Sequence, residues 1–153
     1  SDKVALETLA LRRGRDLAAE GVAVEAIGGA QAIRRALVRH AGARLVGLVD
    51  AGEAEAFRQA LDDVLVCDPD LEGELIRALG AAEVLRALDT NGDLGPFRTL
   101  QKQPSWRGRP VEEQLRRFMG SGGSRKIRYA RFLVEALDLR HVPPPLDGVL
   151  AAV

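Results

Sequence analysis

The sequence is poor in the residues that most often announce a function. It has one cysteine, two histidines, one methionine and only 4% aromatic residues. The lone Cys67 cannot close an internal disulfide, and it fits a reducing cytoplasm and a buried structural thiol. His40 and His141 are too few and too scattered for zinc-ligand spacing. No apolar stretch approaches the roughly 20 residues that span a bilayer, and no signal peptide is visible, so a membrane is not expected as a partner. There is no nucleophile elbow, no Ser/His/Asp order and no GxxxxGK(S/T) loop. The stretch from Asp89 to Gly95 opens like a calcium loop. Its sixth position is Leu94 rather than Gly, and its twelfth is Leu100 rather than Glu, so that motif fails. Net charge is absent too, with 22 Lys/Arg against 22 Asp/Glu.

What remains is an ordinary globular composition, 46% hydrophobic and 29% charged over 153 residues. That length supports one domain with a core large enough to need no metal or disulfide staple. The first residue is not Met, and the chain is expected to begin inside a longer protein. The zero net charge hides a polarity. Residues 1–97 carry 11 Lys/Arg against 17 Asp/Glu, a balance of −6, and residues 98–153 carry 11 against 5, a balance of +6. An acidic half beside a basic half suits a metal site next to a surface for an anionic polymer; two halves that simply attract each other are the bland alternative.

The acidic half concentrates its charge. Leu45-Val46-Gly47-Leu48-Val49-Asp50-Ala51-Gly52-Glu53 is an apolar run ending in a carboxylate, a small-residue turn and a second carboxylate. Asp68-Pro69-Asp70-Leu71-Glu72-Gly73-Glu74 comes next. Between Asp50 and Glu74 stand nine acidic residues and one basic residue, Arg58. Carboxylates gathered at strand ends repel unless a cation neutralises them, and parallel sheets present their strand ends at a ligand crevice. Helix capping and a solvated surface account equally for each acid taken alone.

The elements alternate. A helix is expected from Ser1 or Asp2 to about Arg13, a helical turn over 16–20, and a strand over 22–27 closed by Gly28-Gly29. After these come a helix over 30–40, a strand over 44–50, a helix over 53–61 and a short strand over 64–67. Three strands interleaved with helices predict a small parallel sheet with helices on its faces, an α/β core over 1–69. From Asp70 onward the pattern is helical: 71–79 with Asp70 as cap and Gly80 as stop, 81–88, a loop over 89–95, 110–120, 124–137 capped by Ser124, and a last short helix after Pro143-Pro144-Pro145. No repeat or linker separates 70–153 from the core, and 1–153 reads as a single domain.

In the basic half, Gly120-Ser121-Gly122-Gly123-Ser124-Arg125-Lys126-Ile127-Arg128-Tyr129-Ala130-Arg131 sets a glycine-rich loop before a helix with a cationic first turn. Cations there oppose the helix dipole, and a nearby anion relieves them. Backbone N–H groups with Arg125, Lys126 and Arg128 fit a phosphate; a solvated loop is the alternative. Trp106, flanked by Lys102 and Arg107-Gly108-Arg109, reads either as a base-stacking ring or as a packing anchor.

Taken together, these segments resemble the TOPRIM domain of OLD-family (overcoming lysogenization defect) ATP-dependent endonucleases. Ser1-Asp2 and the helix they open look like the segment just after the family's first strand and Glu-Gly turn. Gly47 to Glu53 is similar to its second acidic strand end, Asp68 to Gly80 to its third acidic segment, and Ser124 to Ala130 to the stretch supplying its lysine. The resemblance implies a TOPRIM-like fold and DNA phosphodiester hydrolysis with two Mg²⁺ or Mn²⁺ ions. It assigns Asp2, Asp50, Glu53, Asp70, Glu72 and Glu74 as metal ligands, with Asp50 and Lys126 catalytic. Arg116, Arg117, Arg125 and Arg128 would bind the DNA backbone. The partners it implies are DNA, an ABC-type ATPase in the same or a partner chain, and a second copy in a homo-oligomer. Two departures stand against this. The family's first-strand glutamate precedes the counterpart of Ser1, and its Asp-x-Asp reads Asp50-Ala51-Gly52 here, with Glu53 a partial replacement. They leave open a TOPRIM-like nucleic-acid-binding or regulatory module without catalysis. A small-molecule phosphotransferase or phosphohydrolase is a third reading, less suited to the basic half.

Overall fold

The run ending in Asp50 forms β1 (Val46–Asp50), and the run ending in Cys67 forms β2 (Asp63–Cys67), in a computed structural model describing residues 1–153 apart from the side chain of Ala30. The two strands pair in parallel, with Val46 opposite Asp63 and Asp50 opposite Cys67. Parallel pairing needs a crossover, supplied by a 3-10 turn, Ala51–Glu53, and the short helix α3 (Ala54–Arg58). Strand alternation sends the two sets of side chains to opposite faces. Val49, Val64 and Val66 join Phe57 of α3 and Ile33 of α2 (Ile33–Arg39) in a small cluster. Val46, Leu48, Leu65 and Cys67 face the main core. Gly47 is closely packed, because a Cβ there would fall 3.1 Å from Leu61 Cδ1 and 3.4 Å from Phe57 Cδ1, and those side chains would have to give by a few tenths of an ångström.

The main core is helical. It gathers α1 (Asp2–Arg12), α4 (Leu71–Leu79), α5 (Ala81–Thr90), α6 (Leu94–Lys102), α7 (Val111–Gly120), α8 (Gly123–Ala136) and α9 (Pro144–Ala152). α9 lies on both strands, and α1 packs along α8. Gly148 lets α9 approach the sheet, since a Cβ there would meet Leu65 Cδ1 at 2.8 Å. The C-terminal segment is tied back to α1 by Arg13, which donates to Asp147 at 2.7 Å, and by Arg15, which donates to the Leu150 carbonyl. Among the described residues no helix is long and apolar enough to cross a membrane.

The mixed α/β class agrees with the sequence, but the sheet has two strands rather than three. Residues 22–27 take no regular secondary structure and pair with neither strand. Val22 and Val24 pack on the main core and Ile27 on the small cluster, so the apolar alternation is used. The backbone finds no ladder, because β1 is bonded to β2 alone, and a strand exists only with a partner for its N–H and C=O groups. Side chains hold the segment instead: Glu25 accepts from Arg39 and lies 2.6 Å from His40 Nε2. The expected loop over 89–95 is shorter than its sequence indicates, since α6 already begins at Leu94. α8 starts one residue before Ser124, its N-cap being Gly122 at φ +94°, a conformation that favours glycine.

Truncating Leu75, 1% exposed on α4, to alanine should cost about 2–5 kcal/mol. Val38→Ala, at an 80% exposed position, should change stability by about 0.5 kcal/mol or less. Urea unfolding of the two variants checks where the core lies.

Candidate active site

Parallel register brings two acidic turns to one end of the sheet. Asp50 closes β1 opposite Cys67, which closes β2, and the Ala51 N–H donates to the Pro69 carbonyl at 3.1 Å. Asp70 then caps α4, its Oδ1 accepting the Gly73 N–H at 2.9 Å. Asp70, Glu72 and Glu74 therefore occupy the positive end of a helix dipole, where carboxylates are favoured.

From the other side come the first turns of α1 and α8. Asp2 begins α1 and accepts from Ser1 Oγ at 2.8 Å. Lys126, in the first turn of α8, places Nζ 3.5 Å from Glu72 Oε2. The pair is asymmetric. The Glu72 side chain is 6% exposed and Lys126 33%. Glu72 Oε1 is buried with no hydrogen-bond partner among the described residues. Burial pushes the Glu72 carboxyl above its ordinary range despite Lys126. Burial works against the Lys126 ammonium, yet Glu72, Asp50 and Asp2 outweigh it and raise the lysine. Glu72 is thus the under-neutralised partner. Asp50 is pushed up as well, first by burial and then by repulsion from Asp2, Asp70 and Glu53, with Lys126 opposing. The site holds more negative charge than its one lysine offsets.

The candidate ligands divide on this geometry. Asp2, Asp50 and Glu72 share the field of Lys126, and Asp70 repels both Asp50 and Glu72. Asp70 is already engaged, its Oδ2 accepting from Arg116 Nε of α7 at 2.7 Å. Glu53 adds repulsion to Asp50 and lies against Gly29, where a Cβ would fall 2.8 Å from its Oε1. Both oxygens of Glu74 are committed to the fold: Oε1 accepts the Asp68 N–H at 3.0 Å and Oε2 accepts from Arg77 at 2.8 Å. Among the described residues no three Asp, Glu, His or Cys side chains stand close enough to enclose a metal ion. The donor set nevertheless fits a hard cation of the magnesium kind. Such an ion keeps several waters and binds through one or two carboxylates plus substrate phosphate, and the orphaned Glu72 oxygen and the compressed Asp50 carboxyl match that demand.

The cationic candidates divide too. Lys126 reaches the acidic cluster; its neighbours do not. Arg125 lies over the Phe118 ring at 4.2 Å and donates to the Ser121 Oγ at 2.9 Å, closing the end of α7. Arg128 pairs with Asp93, which also accepts from buried Tyr129 at 2.7 Å. Arg117 stays near the Trp106 ring at 6.0 Å. Sequence reading missed Arg116 as the counter-ion of Asp70, since the two lie 46 positions apart. It also missed Gln114, buried on α7, which donates to the Trp106 carbonyl and accepts from Gln101. A glutamine within the apolar spacing Val111, Leu115, Phe118 was the available signal.

The chain matches no family model, no curated protein and no solved structure.

At neutral pH and without added metal, Asp50→Asn should stabilise the fold. A carboxyl raised by folding contributes fully below its unfolded pKa, about 3.9, and that contribution is lost as pH rises through the raised folded value. The advantage of the variant should therefore vanish below about pH 4. Urea midpoints across pH check this; a pH-independent difference would refute the electrostatic origin.

Proposed function

We propose that this domain is a metal-dependent endonuclease of the TOPRIM type, similar to the OLD family, that hydrolyses DNA phosphodiester bonds. The observation that carries the reading is the buried, unpartnered Glu72 Oε1 beside Lys126, at the sheet end where Asp50 also points its charge. Asp50 and Glu72 would hold Mg²⁺ or Mn²⁺, with waters and the substrate phosphate completing its shell and Asp2 adding negative charge nearby. Bound there, the ion supplies neutralisation of the phosphate and a water of lowered pKa. Lys126 is kept protonated by its acidic neighbours and stabilises charge building on a non-bridging phosphoryl oxygen in the transition state. Arg116, held by Asp70 in the free protein, can exchange that carboxylate for a substrate phosphate, a ligand its fork fits equally well. Exchange frees Asp70 to join the acidic set. The backbone contacts carry no base information, which makes for weak sequence preference.

A second reading is a TOPRIM-like nucleic-acid-binding or regulatory module without catalysis. It is favoured by Asp70 being satisfied on both oxygens and by the lack of three clustered carboxylates among the described residues.

Nicking of supercoiled plasmid with Mg²⁺ and with Mn²⁺ separates the two. The nuclease reading expects metal-dependent nicking that Asp50→Ala abolishes and Lys126→Ala slows by about 10²–10³-fold. DNA binding with no cleavage under any metal condition would sink it and leave the binding module.

A further inference from the structure

We propose that the corner made by α6, the turns after it and α7 is a docking surface for one nucleic-acid strand, gripped by Arg98, Lys102, Arg107 and Arg117 around Trp106. The choice of nucleic acid rests on the function proposed above; the surface itself rests on where the excess positive charge lies. Beyond α7, every cation is committed. Lys126, Arg128, Arg131 and Arg140 pair with carboxylates, and Arg125 is folded onto Phe118 and Ser121. The surplus of the basic half is therefore concentrated over residues 98–117, which hold six cations against Glu112 and Glu113.

Two of those six are engaged by carboxylates: Arg116 by Asp70, and Arg109 by Glu113 at 3.5 Å. The other four make no ion pair among the described residues. Arg98 donates to Gln101 at 2.8 Å, Arg107 to the Lys102 carbonyl at 3.3 Å, and Arg117 only approaches the Trp106 ring. All four are exposed. Three are arginines, whose planar forks match phosphate oxygens.

The corner is also stiff where it needs to be. Buried Gln114 donates to the Trp106 carbonyl at 2.8 Å, the Trp106 N–H donates to the Gln103 carbonyl at 2.9 Å, and Arg109 lies 5.0 Å from the indole centroid. A half-buried indole braced by guanidinium groups gives an unpaired base a surface to stack on while its phosphates meet the cations. An acidic peptide would use the charges but not the ring. Position supports the same occupant: α7 carries Arg117 at the Trp106 ring and Arg116 at Asp70, so this one helix joins the corner to the acidic site.

Trp106 is the only tryptophan, so its fluorescence reports on this corner alone. Titration with a short oligodeoxythymidylate in EDTA, repeated over a range of salt, is the test. The expected result is a change in Trp106 emission, with log K falling linearly against log salt. In Lys102→Gln/Arg107→Gln the slope should shrink by about 1.4, from about 0.7 for each lost phosphate contact on a single strand. Arg34→Gln/Arg35→Gln, removing exposed cations of α2, should leave it unchanged. Absence of binding, an unchanged slope in the corner variant, a slope lost in the α2 variant, or equal competition by polyglutamate would each overturn the proposal. Binding is read without metal, so a failure to nick plasmid leaves this result standing. Nicking accompanied by an unchanged corner slope would sink the corner alone.

Discussion

The parallel ladder between β1 and β2 sets the position of the acidic cluster in this protein. Its register puts Asp50 opposite Cys67, so that the turns leaving both strands emerge at the same end and are joined by the Ala51 to Pro69 hydrogen bond. A slip of β1 by one residue would turn Val49 away from Phe57 and carry Asp50 to the other face. The ladder is short, five residues a strand, and it is bonded on one side of each strand only. Its stability therefore comes from the helices on its two faces, α3 with α2 on one and α9 on the other.

Onto that frame the helices α1, α4 and α8 bring their first turns. For α4 this suits the charges it carries, since its acids sit at the positive end of the dipole. For α8 it does not, because Lys126 stands in a first turn where a cation is disfavoured. Lys126 and buried Glu72 answer each other across 3.5 Å, yet the answer is incomplete: one lysine faces Glu72, Asp50 and Asp2, and one buried oxygen of Glu72 is left without a partner. Most buried carboxylate oxygens in folded proteins find a donor. An excess of negative charge held in place by backbone structure is what a site for a cation requires, and it is the feature that supports the proposed metal-dependent function. Glu74 shows the contrast. Two residues along the same helix, it is as deeply buried, and both its oxygens are satisfied.

Much of the fold was legible because it depends on local signals. Asp70 as cap and Gly80 as stop bound α4 as expected, and Pro144 opens α9 as a proline at the first turn should. The strands β1 and β2 were marked by apolar runs ending in polar turns. Residues 22–27 were misread for a physical reason: alternation reports which side chains are inward, and it is silent on whether a neighbouring backbone exists. The site was half legible. Glu72 and Lys126 meet and Asp50 shares the lysine's field, but of the basic run after Gly123, which offered either a phosphate cradle or a solvated helix, only Lys126 reaches the acids. Residue 126 lies about 100° from residue 125 and about 160° from residue 128 around the helix, whereas 125 and 128, three apart, share a face turned away from the acids.

By itself the sequence determined the order of elements, the mixed α/β class, the concentration of acids after β1 and β2 and the surplus of cations beyond residue 98. These come from hydrophobic period, capping chemistry and composition, all of which are local. Tertiary structure alone decided which charges are spent and which are left over. Arg116 is taken by Asp70, Arg128 by Asp93 and Glu74 by Arg77, while Glu72 Oε1 and the corner of Arg98, Lys102, Arg107 and Arg117 are not. Pairing of that kind depends on distances between groups far apart along the chain, and those distances exist only once the helices have packed.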